Sequence, residues 1–297
     1  MASNLTTLVR FWGTRGSIPT PGPTTCRYGG NTSCVEIESG GLTLICDSGT
    51  GIRSLGLDWL ARTERPLQLH LVLSHTHFDH IQGFPFFAPV FNKDVTLKLH
   101  TPKSRRGSVR DRIFGMLVPE YCPVGVRELA AQIIEVPFDR HVKLADNLEL
   151  EALEQVHPGG SFGYALEHAG KRIVYATDSE LDARLVNANT AALSPDDERR
   201  FPPEVSKFYE NADLVIADAQ YTDEEYVTRR GWGHPRFSTV VDLAIAARVK
   251  QLALFHHEPR RSDTEMDAIV EQARKRARSR GASLEIFAAV EGSCLEL

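Results

Sequence analysis

The chain has 297 residues, 42% hydrophobic and 25% charged, with 34 Lys+Arg against 39 Asp+Glu and a formal net charge of -5. These are ordinary globular values and exclude disordered and fibrous classes. The acidic balance argues against a chain built to grip long nucleic acid, which usually carries a basic excess. No apolar run approaches the roughly 18 residues of a membrane span. The start, MASNLTTLVR, lacks the pattern of a signal peptide. The five cysteines (Cys26, Cys34, Cys46, Cys122 and Cys294) form no CxxC and imply neither a disulfide framework nor a zinc ribbon. A cytoplasmic protein with no membrane contact is expected, its cysteines serving as small buried residues.

In chain order, the first third reads as short strands between Gly-rich turns. Residues 7–12, 33–37 and 42–46 are rich in β-branched and aromatic side chains. A strand at 67–73 runs into a His-rich turn, and strands follow at 95–100, 131–136, 147–155, 163–168 and 171–176. A helix is predicted over 238–248, with Ser238 positioned to cap its first turn. A second is predicted over 263–279, with Met266, Ile269, Val270 and Ala273 on one face and Gly281 as its stop. Strands 250–255 and 284–288 flank that second helix. This order predicts an α/β protein, one or two sheets with helices outside. No linker divides the sequence, so one domain over 1–297 is expected, and segment 102–128 reads as an inserted helical cap.

The decisive string is Ser74-His75-Thr76-His77-Phe78-Asp79-His80, at the end of an apolar strand. Imidazoles suit zinc and similar metals, and a carboxylate adds a harder oxygen ligand. His75 and His77 alternate as strand neighbours do and so point to one side. Asp79 and His80 lie beyond the strand, where a turn can aim them at a second ion. Two ions need further ligands. His157, Asp178 and His256 each follow an apolar strand, where a sheet edge gathers residues from distant sequence. His256 is preferred to its neighbour His257. His70, His100, His141 and His168 have no such context and read as ordinary surface or half-buried histidines. The basic strings 103–112 and 274–280 are candidate phosphate contacts, the second better read as a solvated helix face.

HTHFDH, His157, Asp178 and His256, in this order, resemble the ligand motifs of the metallo-β-lactamase superfamily across nearly the whole chain. Within it the sequence is similar to the phosphodiesterase branch that holds ribonuclease Z and small cyclic-phosphate hydrolases. GTRGSIPTPG, RYGGNTSCVEI and LICDSGTGIR resemble that branch's N-terminal signature. Asp178 stands where true β-lactamases commonly carry Cys. Gly233-His234-Pro235 with Ser238-Thr239 resembles its extra histidine motif, and Leu254-Phe255-His256-His257-Glu258-Pro259-Arg260 its last ligand motif. The resemblance implies a four-layer αββα sandwich with metals at one edge of the paired sheets. It implies one ion on His75, His77, His157 and Asp178, and another on Asp79, His80, Asp178 and His256. The ions would be two divalent metals, Zn first, with Mn or Fe as alternatives.

Ribonuclease Z proteins carry a long arm for transfer RNA between the ligands that match His157 and Asp178. Only 20 residues separate these two here, barely enough for a strand pair, so the layout is closer to the armless anti-Pycsar phosphodiesterases. The expected reaction is hydrolysis of 3′,5′-cyclic mononucleotides to linear monophosphates by in-line attack of a metal-bridging hydroxide. The alternative is a ribonuclease Z-like endoribonuclease on transfer-RNA 3′ ends, with RNA the less favoured partner. In the first reading Asp79 orients the hydroxide and His234 stabilises the phosphorane charge or protonates the leaving oxygen. Asp47 would fix the tautomer of a ligand imidazole. Ser161, Phe162 and Trp232 are candidate substrate contacts. Relatives of this branch are commonly homodimers, and segment 102–128 is placed to reach a neighbouring site. A non-enzymatic nucleotide sensor and a hydrolase of lactams, thioesters or lactones are the remaining classes.

Overall fold

The computed structural model describes residues 6–103, 107–146, 148–186, 197 and 199–297. Six strands begin the first sheet: β1 Leu8–Gly13, β2 Cys34–Ser39, β3 Leu42–Cys46, β4 Gln68–Val72, β5 Thr96–Pro102 and β6 Gln132–Phe138. Seven form the second: β7 His141–Ala145, β8 Leu148–Gln155, β9 Ser161–His168, β10 Lys171–Ala176, β11 Leu214–Asp218, β12 Gln251–Phe255 and β13 Glu285–Ala288. The last strand, β14 Cys294–Glu296, returns to the first sheet beside β1. The sheet orders are β14-β1-β2-β3-β4-β5-β6 and β13-β12-β11-β10-β9-β8-β7.

The patterning explains the layers. Along β1, Val9 and Phe11 point inward, while half-buried Arg10 and Trp12 lie on the outer face, Trp12 against the helix-side core. Val9 and Phe11 meet Leu150, Tyr164, Tyr175 and Phe255 of the second sheet in one core between the sheets. Strands β10 to β13 run parallel, and β11 and β12 read as continuous apolar runs because both faces are covered.

Helices close the outer faces. α1 Ile52–Ala61, α2 Phe78–Ile81 and α3 Val109–Phe114 put Ile52, Leu55, Trp59, Ile81, Val109 and Ile113 against the outside of the first sheet. On the second sheet lie α4 Pro203–Tyr209, α5 Asp223–Arg229, α6 Phe237–Ala246 and α7 Asp263–Ser279. From these, Phe208, Val241, Ile269 and Ala273 pack on its outer face. The result is the four-layer αββα sandwich. Among the described residues no helix is long and apolar enough to cross a membrane.

Several local expectations differ from what forms. Ser238 does not cap its helix: α6 begins at Phe237 after Arg236, and the Ser238 hydroxyl donates to Asp223 instead. Ser262 is a true cap, accepting from the Glu265 amide in a reciprocal capping box at the start of α7. Segment 102–128 begins at the end of β5 and holds α3 and one 3-10 turn, Val126–Glu128; residues 104–106, part of the basic string 103–112, lie outside the described residues. In the string 274–280, Arg276 pairs with Asp242 and Arg274 donates to the Ile286 carbonyl, so part of that face is engaged in packing. His70, His100 and His168 are buried rather than surface residues.

Candidate metal centre

Parallel strands place their carboxyl ends at one edge, where open α/β sheets bind ligands. Asp47 follows β3, the histidine string follows β4, and His157 follows β8. Asp178 follows β10, Asp218 ends β11, and His256 follows β12. The strand β4 stops at Val72, so His75 and His77 lie in a loop and not on alternating strand positions. Asp79 and His80 sit on the single turn of α2.

Four residues here have positive backbone φ without being glycine: Ser17 (63°), Asp47 (64°), Asp178 (52°) and His256 (56°). Such strain persists only where surrounding structure over-determines it, and it concentrates at functional sites. Gly16 shows the same crowding. A Cβ there would meet the His256 ring at 2.4 Å, so only glycine lets that ring reach its place.

Five overlapping triplets of potential ligands occur among the described residues, each with its donor atoms within 4.8 Å of one another. They are His75/His77/His157, His75/His80/Asp178, Asp79/His80/His256, His157/Asp178/His234 and Asp218/His234/His256. The carboxylate of Asp178 divides between two sides. Its Oδ1 lies 3.8 Å from His75 Nε2 and 3.7 Å from His157 Nε2. Its Oδ2 lies 3.2 Å from both His80 Nε2 and His256 Nε2.

The rings are oriented from behind. His80 Nδ1 is 2.7 Å from Asp47 Oδ2, His256 Nδ1 is 2.9 Å from Gln220 Oε1, and His157 Nδ1 is 3.0 Å from the Gly233 carbonyl. Partners of this kind accept a hydrogen bond from Nδ1–H, which keeps the proton on Nδ1 and leaves the Nε2 lone pair for a ligand. Buried Nε2 atoms of His75 and His80 have no hydrogen-bond partner. Unpaired buried polar atoms are rare. Here they converge on carboxylates, which is the donor set a divalent cation requires, so the residues fit a metal centre. His257 is not part of it, since its Nε2 lies 2.9 Å from the Ala289 carbonyl.

The electrostatics agree. Burial alone would raise the Asp79 carboxyl, but the charge of the nearby His80 and the hydrogen bond from His256 hold it well below the usual range. Asp178 is likewise held down, against burial, by His256, His80 and His75. Burial lowers His75, His77 and His157. Burial also opposes charge on His80, yet the carboxylates of Asp79, Asp178 and Asp47 outweigh it and push His80 up. Carboxylates packed this closely demand positive charge, and a metal ion supplies it as a proton does.

Asp47 is a hub. It accepts from the Ser74 amide at 2.7 Å, the Ser74 hydroxyl at 2.8 Å and the Tyr175 hydroxyl at 2.6 Å, besides facing His80. Tyr175 on β10 and Tyr164 on β9, which donates to the Leu73 carbonyl, thus tie the second sheet to the first at the site. Asp79 Oδ2 accepts from the Ser17 amide at 2.8 Å. His234 Nδ1 lies 2.7 Å from Asp218 Oδ2. Burial would lower His234, but Asp218 raises it to about 9.

Of the candidate substrate contacts, only Trp232 faces solvent, 60% exposed. Phe162 is buried in the core between the sheets, and Ser161 is buried 3.5 Å from Gln155 Nε2. Phe162 is thus a packing residue, because its position on β9 faces the first sheet. Sequence reasoning missed Asp218, although LVIAD repeats the pattern of an apolar run ended by a ligand type. It also missed Phe78, 73% exposed between His77 and Asp79. Arg15 gave no signal beyond its motif. Fully buried, it donates to the carbonyls of Gly29, Glu258 and Arg261 and so ties the N-terminal turn to the loop after His256.

Comparison with known proteins agrees with this architecture. The family described as "Beta-lactamase superfamily domain" matches residues 43–257. The ribonuclease Z of Haloarcula marismortui is 24% identical, covering 91% of this chain and 92% of that protein. The metallo-β-lactamase fold protein YhfI of Bacillus subtilis superposes with a TM-score of 0.66 at 19% identity, over 99% of this chain and 100% of that one. The short form of human tRNase Z gives 0.64 at 17%, over 97% and 98%. With its family match spanning most of the sequence, and with histidines and aspartates gathered at the strand ends, the chain belongs to the β-lactamase superfamily and is a metal-dependent hydrolase of the metallo-β-lactamase fold.

Proposed function

We propose that the chain is a two-metal phosphodiesterase that hydrolyses 3′,5′-cyclic mononucleotides to linear nucleoside monophosphates. The observation that carries the two-metal reading is the divided carboxylate of Asp178, with Oδ1 toward His75 and His157 and Oδ2 toward His80 and His256. His75, His77, His157 and Asp178 would hold one ion. Asp79, His80, Asp178 and His256 would hold the other. The nitrogen and carboxylate donors suit Zn first, with Mn or Fe as alternatives. Bound there, such ions would supply an activated water and neutralise phosphoryl charge.

The chain's own groups do the rest. Asp79, fixed by the Ser17 amide, orients the attacking water. His234, kept protonated by Asp218, donates from Nε2 to the leaving 3′ oxygen. Phe78 and Trp232 offer flat exposed faces beside His77 and Gly233, on which a base can stack.

A small substrate is favoured by what joins His157 to Asp178. That stretch is the strand pair β9 and β10 closed by a turn at Ala169–Gly170, with no room for an RNA-holding arm. The second reading, cleavage of transfer-RNA 3′ ends, is supported by the ribonuclease Z relative that aligns over nine-tenths of both chains. We place the protein in the cytoplasm, where the exposed thiols of Cys26 and Cys294 stay reduced. We also read it as one domain that pairs as a homodimer, with exposed Tyr121 of segment 102–128 available for the contact.

The test is product analysis. Metal-loaded protein is incubated with cyclic AMP, GMP, CMP and UMP beside a transfer-RNA precursor. Chelator-sensitive conversion of the cyclic nucleotides to linear monophosphates supports the proposal. Cleavage of the RNA alone transfers the protein to the second reading.

A further inference from the structure

Two residues beyond Asp178 lies a carboxylate that belongs to none of the candidate ligand triplets. Glu180 is buried, and its oxygens are spent on the loop that carries His234. Oε1 accepts from the Tyr226 hydroxyl at 2.7 Å and the Gly231 amide at 2.8 Å. Oε2 accepts from the Gly233 amide at 3.0 Å. The Gly233 carbonyl in turn stands 3.0 Å from His157 Nδ1. One residue, Gly233, therefore separates Glu180 from the ring of a candidate metal ligand. The next residue in the chain is His234.

The loop cannot hold this shape on its own. Gly231 and Gly233 both have positive φ, 82° and 91°. A Cβ on Gly233 would meet His157 Nδ1 at 2.3 Å and Pro158 Cδ at 2.5 Å. A glycine pair gives the loop freedom to make this approach, and the same freedom to leave it. Two charge-assisted hydrogen bonds to its amides are the restraint that the glycines lack. Glu180 is itself anchored, since its amide donates to the Val156 carbonyl, one residue before His157.

We propose that Glu180 is the positioning residue of this centre. By fixing the Gly231 and Gly233 amides it aims the Gly233 carbonyl at His157 Nδ1, which sets the tautomer that leaves His157 Nε2 free for metal. The same restraint presents His234 to the leaving group. Glu180 thus couples the chain segment of the bridging carboxylate to a ligand and to the proton donor. The proposal rests on the roles given above to His157 and His234, and its test keeps the two apart.

Glu180→Gln is the decisive variant. Its carbonyl keeps Tyr226 and Gly231, while its NH2 group sets a donor against the Gly233 amide. Tyr226→Phe removes the hydroxyl bond alone and leaves the Gly233 link. In the metal-free protein, nitrogen NMR of the histidine rings is expected to show His157 protonated at Nδ1 in the wild type and in Tyr226→Phe, and a mixed tautomer in Glu180→Gln. Metal affinity and kcat are expected to fall roughly tenfold or more in Glu180→Gln, with KM nearly unchanged, and to stay within about twofold in Tyr226→Phe. Wild-type tautomer, affinity and kcat in Glu180→Gln would overturn the proposal. If that variant does not fold, amide hydrogen exchange of the wild type decides: protection of Gly231 and Gly233 supports the restraint, and fast exchange at both overturns it. A chain inactive on every phosphodiester would sink the proposed function and leave the tautomer and exchange readouts to judge Glu180.

Discussion

The first sheet carries two groups of buried histidines that differ in one respect. At the carboxyl end of β4, His75 and His80 face Asp178, Asp79 and Asp47. Two residues before the end of the same strand, His70 stacks on His100 of β5, ring centroids 5.0 Å apart and Nδ1 to Nε2 at 2.8 Å. Among the described residues no carboxylate touches this second pair, and burial drives His70 to about 4 and His100 to about 3. Burial acts on both groups. Carboxylates reverse its sign only in the first, where His80 is pushed up. Imidazole burial alone therefore makes a neutral packing unit, and imidazole burial with carboxylates makes a cation site.

The largest effect separating the two groups is loss of the cation site itself. Asp79→Ala and Asp178→Ala are each expected to abolish turnover by about a thousandfold or more and to lower bound metal, read by elemental analysis and steady-state assay. His234→Ala is expected to reduce kcat by roughly a hundredfold or more with metal content unchanged. Stoichiometric metal loss in that variant would show that His234 is a ligand instead. Asp47→Asn sharpens the comparison further. It spares every proposed ligand, and its expected loss of metal affinity, about 10- to 100-fold, reports the orientation of His80 together with the Ser74 and Tyr175 bonds that hold Asp47 in place. Competition with a chromophoric chelator measures it.

The smallest effect belongs to the carboxylate-free pair. His70 and His100 bind protons more weakly folded than unfolded, where a histidine titrates near 6.5. Their contribution to stability is complete above about pH 6.5 and is lost as pH falls toward the folded values near 4 and 3. The slope is up to about 1.4 kcal/mol per pH unit for each ring that titrates. Asp79 and Asp178, held down when folded, lose their contribution only below the unfolded aspartate value near 3.9. The urea midpoint of the wild type should fall relative to that of a His70→Leu/His100→Leu variant as pH falls from 6.5 to 4.5. Parallel curves would contradict the neutral assignment of the pair.

Much of this was legible in the sequence where local chemistry and position coincide. HTHFDH, Asp178 and His256 each close an apolar run, and strand ends are where a sheet collects side chains. The core face of α7 followed from the spacing of Met266, Ile269, Val270 and Ala273. Other features depend on contacts across the fold. Ser238 looks like a cap because a hydroxyl precedes an apolar run, but the helix starts two residues earlier, where the Arg236 amide donates to Asp182 at 3.1 Å. Phe162 looks like a base-stacking residue after Gly159-Gly160, yet the alternation of β9 turns it into the core. His70 and His100 are 30 residues apart, and only the parallel pairing of β4 with β5 brings them together.

The most direct test of the account is a metal count. Protein purified without chelator and loaded with Zn is weighed intact by native mass spectrometry, beside Asp178→Ala and the His70→Leu/His100→Leu variant. The carboxylate-bridged centre predicts two ions per chain in the wild type, two in the leucine variant, and fewer than two in Asp178→Ala. A single ion in the wild type, or two retained after loss of Asp178, would contradict it.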